Sequence, residues 1–154
     1  MYGMTAGRQL RGIFFIAMLA YGIDQLTKNL AHSLSNSYIY NYRDPQLLPE
    51  IGLALALLIL ARLLKSRRSV YGAGLFLGGL AGNCTNALTT HAVLDFIPLG
   101  SQWKCNCADL MIALGSLILL SDVVRLGRLA YLQRQNAVVG SDLRGLIKSF
   151  SNSS

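Results

Sequence analysis

The sequence predicts an all-α membrane protein: four transmembrane helices with a small extracytoplasmic strand or loop excursion after the first. Three observations predict it. Of 154 residues, 53% are hydrophobic and only 14% charged, where a soluble domain carries about 25% charged residues. Mean hydropathy is +0.42, and apolar runs recur at residues 12–23, 51–64, 70–88 and 110–124. Basic residues gather in the segments that lie on one side of those runs. The formal net charge of +7 therefore reads as a topological signal, and no nucleic-acid partner is expected.

A helix crossing the bilayer needs about 20 mainly apolar residues. The first two runs are shorter, so their helices extend into polar flanks, giving spans of about 11–31, 48–65, 69–88 and 107–125. These form one domain, residues 1–126. A basic tail, residues 127–154, is expected to be amphipathic in its first part and disordered at its end. The excursion over residues 32–50 holds Ser33, Ser35, Asn36, Ser37 and the pair Asp44-Pro45. Alternation in Ser37-Tyr38-Ile39-Tyr40-Asn41-Tyr42 reads either as a short strand or strand pair, or as a loop carrying an aromatic belt. In the third run Gly74, Gly78 and Gly82 share one helical face, which lets another helix approach closely. Asn83 adjoins that ladder, and Asn86 lies one turn on along the same side.

Charge sets the orientation. Arg8 and Arg11 precede the first run; Arg62, Lys65, Arg67 and Arg68 link the second and third; Arg125, Arg128 and Arg134 follow the fourth. By the positive-inside rule these segments and both termini are cytoplasmic. The first run continues through Asp24-Gln25 with no small-residue cleavage site, so no cleavable signal peptide is expected.

Polar residues then cluster at the opposite, outer ends of the spans. The first span ends in Asp24-Gln25-Leu26-Thr27-Lys28, the third in Gly78-Gly79-Leu80-Ala81-Gly82-Asn83-Cys84-Thr85-Asn86, followed by Val93-Leu94-Asp95-Phe96, and the fourth opens Asn106-Cys107-Ala108-Asp109. Carboxylates at a membrane edge are by default functional-site candidates. Two of them, Asp95 and Asp109, returning to one surface point to a pair that shares a proton and activates water, the chemistry of an aspartic protease. Asp24 and Lys28, four apart on a helix, either pair to fix the first span against the site or form an exposed interfacial pair. His91 reads as a solvated loop histidine, or as a group that tunes Asp95. Cys105 and Cys107 lack the partners for a tetrahedral metal site, and Cys84 reads as a packing residue. No metal or cofactor is implied.

In order and spacing these boxes resemble the lipoprotein signal peptidases, the signal peptidase II family of bacterial aspartic intramembrane proteases. Asp24, Gln25 and Lys28 match its Asp-Gln-x-x-Lys box. Asn41 alone matches its Asn-x-Gly box, since Arg43 stands at the glycine. Gly78, Gly79, Gly82 and Asn83 match Gly-Gly-x-x-Gly-Asn-x-x-Asp-Arg, whose last two positions are Asn86 and Ala87 here. Asp95 takes the Val-Asp-Phe aspartate, and Asn106, Ala108 and Asp109 match Phe-Asn-x-Ala-Asp, with Cys105 at the Phe.

The resemblance implies Asp95 and Asp109 as the catalytic dyad, with Asn83, Asn106, Asn41, Asp24, Lys28 and Asn86 supporting it or binding substrate. It implies cleavage of a diacylglyceryl-modified prolipoprotein at the outer face of the bacterial cytoplasmic membrane, with membrane lipid as the other partner. An inactive homologue that binds lipoprotein signal peptides or another membrane partner is the alternative, favoured by Asn86-Ala87 and Arg43. A small transporter or channel subunit would instead need polar groups deep within the spans, and these residues lie at one end.

Overall fold

The computed structural model describes residues 5–34, 38–42 and 47–151, with side chains in the last segment from residue 48 to 136. Arg43, Asp44-Pro45, Ser35–Ser37 and residues 152–154, all part of the sequence reading, lie outside the described residues. Four helices make up most of the chain: α1 (Ala6–Leu34), α2 (Leu47–Leu64), α3 (Arg67–Thr90) and α4 (Cys107–Ser151). At 29, 18 and 24 residues, α1, α2 and α3 are about 43, 27 and 36 Å long, against a hydrocarbon core of about 30 Å. Among the described residues, α1 and the stretch Cys107–Asn136 of α4 are long and apolar enough to cross a membrane. No helix break falls at residue 126, because α4 continues through Ser151.

The third helix is the centre. It packs on α1 along one face and on α4 along another, while α2 docks more lightly. Small residues make both contacts possible. A Cβ on Gly74 would meet Ile16 Cβ at 2.6 Å, and one on Gly78 would meet the Ala17 carbonyl oxygen at 2.5 Å, so α1 rides directly on the α3 backbone. On the other side a Cβ on Gly79 would meet the Ala108 carbonyl oxygen at 2.6 Å, and Gly115 of α4 sits equally tight against Gly72.

The polarity of the molecule is inverted relative to a soluble bundle. Gln9, Asp24, Lys28, Asn83, Asn106 and Asp122 are buried, while Phe14, Phe15, Met18, Leu19, Leu26, Leu114, Leu117 and Leu120 are exposed. Charged groups are buried in proteins essentially only when paired, and an apolar exterior of this extent suits lipid rather than water. The buried polar groups lie at the two ends. At the arginine-bearing end Ser66 caps α3, accepting from Ser69 N at 3.0 Å, and its hydroxyl donates to Asp122. Arg125 Nη2 pairs with the same carboxylate at 3.2 Å. Gln9 Nε2 donates to the Ala61 carbonyl at 2.5 Å, and Ser69 Oγ to the same oxygen at 3.3 Å. One carbonyl in the last turn of α2, which also accepts from Lys65 N at 3.3 Å, thus joins three helices.

At the other end are four short strands. The alternation ahead of α2 becomes β1 (Ile39–Tyr42), whose partner is not within the excursion. It pairs antiparallel with β2 (Ala92–Asp95), which follows α3, setting Ile39 opposite Asp95 and Tyr42 opposite Ala92. His91 ends α3 in the left-handed region, φ 52°, exposed, its N–H on the Ala87 carbonyl at 3.1 Å. Histidine is among the side chains that tolerate this conformation. Strands β3 (Ile97–Leu99) and β4 (Trp103–Cys105) form a hairpin turned at Gly100, φ 78°.

The close approach of α1 gives a direct expectation. Gly78→Val should lower stability by about 1–3 kcal/mol, because the added atoms meet backbone that cannot yield. Gly22→Ala, at an exposed helical site with nothing within 4 Å, should be neutral or stabilising by up to about 1 kcal/mol. Thermal unfolding in detergent checks both.

Candidate active site

The site is assembled on the first turn of α4. Asn106 precedes the helix and Asp109 is its third residue, so their side chains can serve each other's backbone. Asp109 N donates to Asn106 Oδ1 at 3.0 Å, and Asn106 N donates to Asp109 Oδ2 at 3.1 Å. This reciprocal pair is a capping box built from Asn and Asp. It satisfies two donors of the helix start and locks the Asp109 rotamer. The negative charge lies at the positive end of the α4 dipole, which favours it.

The side-chain amide nitrogen of Asn106 is left to donate elsewhere, and Asp95 accepts from it. Asn106 Nδ2 donates to Asp95 Oδ1 at 2.7 Å. The hairpin makes this meeting unavoidable: Phe96 N donates to the Cys105 carbonyl at 3.0 Å, so the residue before Phe96 and the residue after Cys105 come together. Asn41, diagonal to Asp95 across the β1–β2 ladder, hydrogen-bonds the same carboxylate through its side chain. Burial pushes the Asp95 carboxyl above the usual carboxylate range; the Asn106 bond opposes this, and the charge of Asp109 adds to it. Two carboxylates held by one asparagine, one of them easily protonated, can keep a single proton between them.

A second layer ties this arrangement to α1 and α3. Asp24 Oδ1 accepts from Ala108 N at 2.9 Å, satisfying another donor of the α4 start. Its Oδ2 receives Lys28 Nζ at 2.8 Å and Gln25 Nε2 at 3.1 Å. Lys28 spends its other two donors on Asn83 Oδ1 at 2.9 Å and Asn86 Oδ1 at 3.0 Å. Asn83 then donates through Nδ2 to Asp109 Oδ1 at 2.9 Å. Asp24 is fully buried and Lys28 nearly so, so the pair is an interior one and not the exposed interfacial pair. Gly82 leaves room for it, since a Cβ there would collide with Asp24 Oδ2.

All eight residues singled out in the sequence come to this end. Asp95, Asp109, Asn83, Asn106 and Asn41 touch one another directly, and Asp24, Lys28 and Asn86 form the layer behind. Exposed His91 makes no contact with Asp95. Gln25, the second residue of the Asp-Gln-x-x-Lys box, also reaches the Gly82 carbonyl at 3.2 Å and Asn86 Oδ1 at 3.2 Å, crossing from α1 to α3. The spacing Asn106-x-x-Asp109 ahead of an apolar run is itself a capping-box signature, and would have placed Asp109 in the first turn. Cys84, read as packing, donates to Glu50 at 2.7 Å and links α3 to α2. Among the described residues no group of three His, Cys, Asp or Glu is placed to hold a metal.

Comparison with solved structures defines the class. Two bacterial membrane enzymes, determined by the in meso method at 2.3 and 1.9 Å, share the fold with TM-scores of 0.60 and 0.57. Each is 16% identical; the alignments cover 80% and 79% of this chain and 91% and 95% of theirs. The chain thus shares the mostly helical fold of those two structures. The family described as Signal peptidase (SPase) II matches residues 46–125, more than half of the chain. The protein belongs to the signal peptidase II family, peptidases that act on lipoprotein precursors. No curated protein matches the sequence significantly.

The buried pair carries its own expectation. Lys28→Met strands the Asp24 charge in the interior and should cost about 3–5 kcal/mol, whereas the double change Asp24→Asn/Lys28→Met should recover a large part of that. Unfolding curves for the two variants decide it.

Proposed function

We propose that the protein is an intramembrane aspartic endopeptidase that cleaves the signal peptides of lipid-modified prolipoproteins. The observation that carries this reading is the attachment of Asp95 and Asp109 to a single asparagine, Asn106. One carboxylate, ionised, takes a proton from a water held between the pair. The other, protonated, polarises the scissile carbonyl and then donates to the leaving nitrogen. The dyad titrates as a unit, and burial raises the Asp95 carboxyl above the usual carboxylate range, in the direction that a shared proton requires. Asn83 and Asn106 hold the two carboxyls, Asn41 steadies Asp95 from the strand, and Asp24, Lys28 and Asn86 position these groups.

The proposed setting is the bacterial cytoplasmic membrane, crossed four times by the domain of residues 1–126, with both termini and the 127–154 tail cytoplasmic. The arginine clusters support that orientation. It sets the dyad at the outer interface, where the bond beside a diacylglyceryl-modified cysteine would lie.

Asp95→Asn and Asp109→Asn should each lower processing of a lipidated precursor by at least about 100-fold while the protein still folds in detergent. Substrate capture with no dependence on either carboxylate would instead identify a binding homologue. Activity should follow a bell in pH, with an alkaline limb above the ordinary carboxylate range. Stability should behave in the same sense. Asp95 is protonated more readily in the folded chain than in the unfolded one. Its destabilising effect is therefore absent below the ordinary carboxylate value and grows as pH rises through the native one. Asp95→Asn should flatten that dependence in unfolding measurements.

A further inference from the structure

A groove of about 560 Å³ lies at the end of the molecule away from Asp95 and Asp109, between α1 and α3, lined by Arg8, Gly12, Phe15, Leu19, Arg67 and Tyr71 among others. Its chemistry is graded. Arg8 and Arg67, both exposed, stand at the starts of their helices, and neither guanidinium has a hydrogen bond or ion pair with the described residues. Beyond them the walls turn apolar. Phe15 is 64% exposed, Leu19 52% and Tyr71 57%, and Phe15 and Leu19 are one turn apart on the same face. Gly12 keeps the floor open, since a Cβ there would press on Val70 at 2.9 Å. From Arg8 to Leu19 the groove runs about 16 Å along the helix, roughly half the thickness of the hydrocarbon core.

The surrounding charge among the described residues is mostly positive. Arg11, Arg62, Lys65 and Arg68 flank the same end, and the carboxylate described there, Asp122, is engaged with Ser66 and Arg125. A pair of arginines without a partner among the described residues, at the membrane surface and continuous with an apolar channel of acyl-chain length, is complementary to one kind of molecule. The geometry points to a binding site for an anionic phospholipid of the cytoplasmic leaflet, its phosphate between Arg8 and Arg67 and one acyl chain along Phe15 and Leu19. The lipid would brace α1 against α3, the same contact that places Asp24 under the dyad. The site depends on the membrane orientation proposed above but not on peptidase activity.

The test uses the full-length protein in neutral detergent, with phosphatidylglycerol, phosphatidylcholine or inorganic phosphate added, read by native mass spectrometry and thermal unfolding. Phosphatidylglycerol should be retained in preference to phosphatidylcholine by about tenfold or more, as two arginines at a membrane surface warrant, and should raise the unfolding temperature. The variant Arg8→Gln/Arg67→Gln should lose that preference, while Arg128→Gln, outside the groove, should keep it. Equal retention of the two lipids, equal stabilisation by inorganic phosphate, or the same loss in Arg128→Gln would overturn the assignment. Because processing by the dyad is not the readout, failure here leaves the proposed activity standing, and the reverse also holds.

Discussion

The carboxylate of Asp24 is the constraint on which the site depends. It is fully buried, and its two oxygens face different parts of the molecule: one the start of α4, the other Lys28 and Gln25 of its own helix. A buried charge is tolerated only if it is paired and its remaining lone pairs are used. Meeting that requirement forces α1, α3 and α4 into one relative position. Lys28 passes the constraint to Asn83, Asn83 passes it to Asp109, and the capping box passes it to Asn106 and so to Asp95. The chain of bonds has no free swing in it, because each amide donates and accepts with both of its ends or is held by backbone.

This network also accounts for a departure from the family pattern. Where the family carries an acid and an arginine, the chain has Asn86 and Ala87. Asn86 accepts from Lys28 and Gln25 through one oxygen, and Ala87 is buried. With Asp24 and Lys28 already balancing each other, an amide at position 86 serves as acceptor without adding a charge. Removing acid and base together leaves no buried charge unpaired. The substitution sits one layer behind Asp95 and Asp109 and leaves their own hydrogen bonds in place.

The helices meet through glycine and alanine on both faces of α3, so interhelical distance is set by backbone contact rather than by interdigitating side chains. Such contacts tolerate little adjustment, which suits a site whose groups are positioned by hydrogen bonds a few tenths of an ångström from ideal. The polar clusters at the two ends work in the same way. Asp122 with Ser66 and Arg125 at one end, and Asp24 with Lys28 at the other, pin helices whose middle sections have only van der Waals contact to hold them.

Much of this was legible without coordinates. Apolar runs, charge asymmetry and the glycine ladder follow from local composition and from the 3.6-residue period, so four helices and a close helix contact on α3 were readable, but not which helix makes it. The aspartates and asparagines stood out because a polar residue beside an apolar run has few explanations. What the sequence could not supply was pairing between distant segments. The partner of β1 lies beyond α3, and the burial of Asp24–Lys28 depends on Gly82 approaching from another helix. The engagement of Asp122 with Ser66, from segments far apart in the chain, left no local pattern to read. Local periodicity determines which residues share a face; only the packed structure decides which faces meet, because that choice is made by the sum of contacts across the whole bundle.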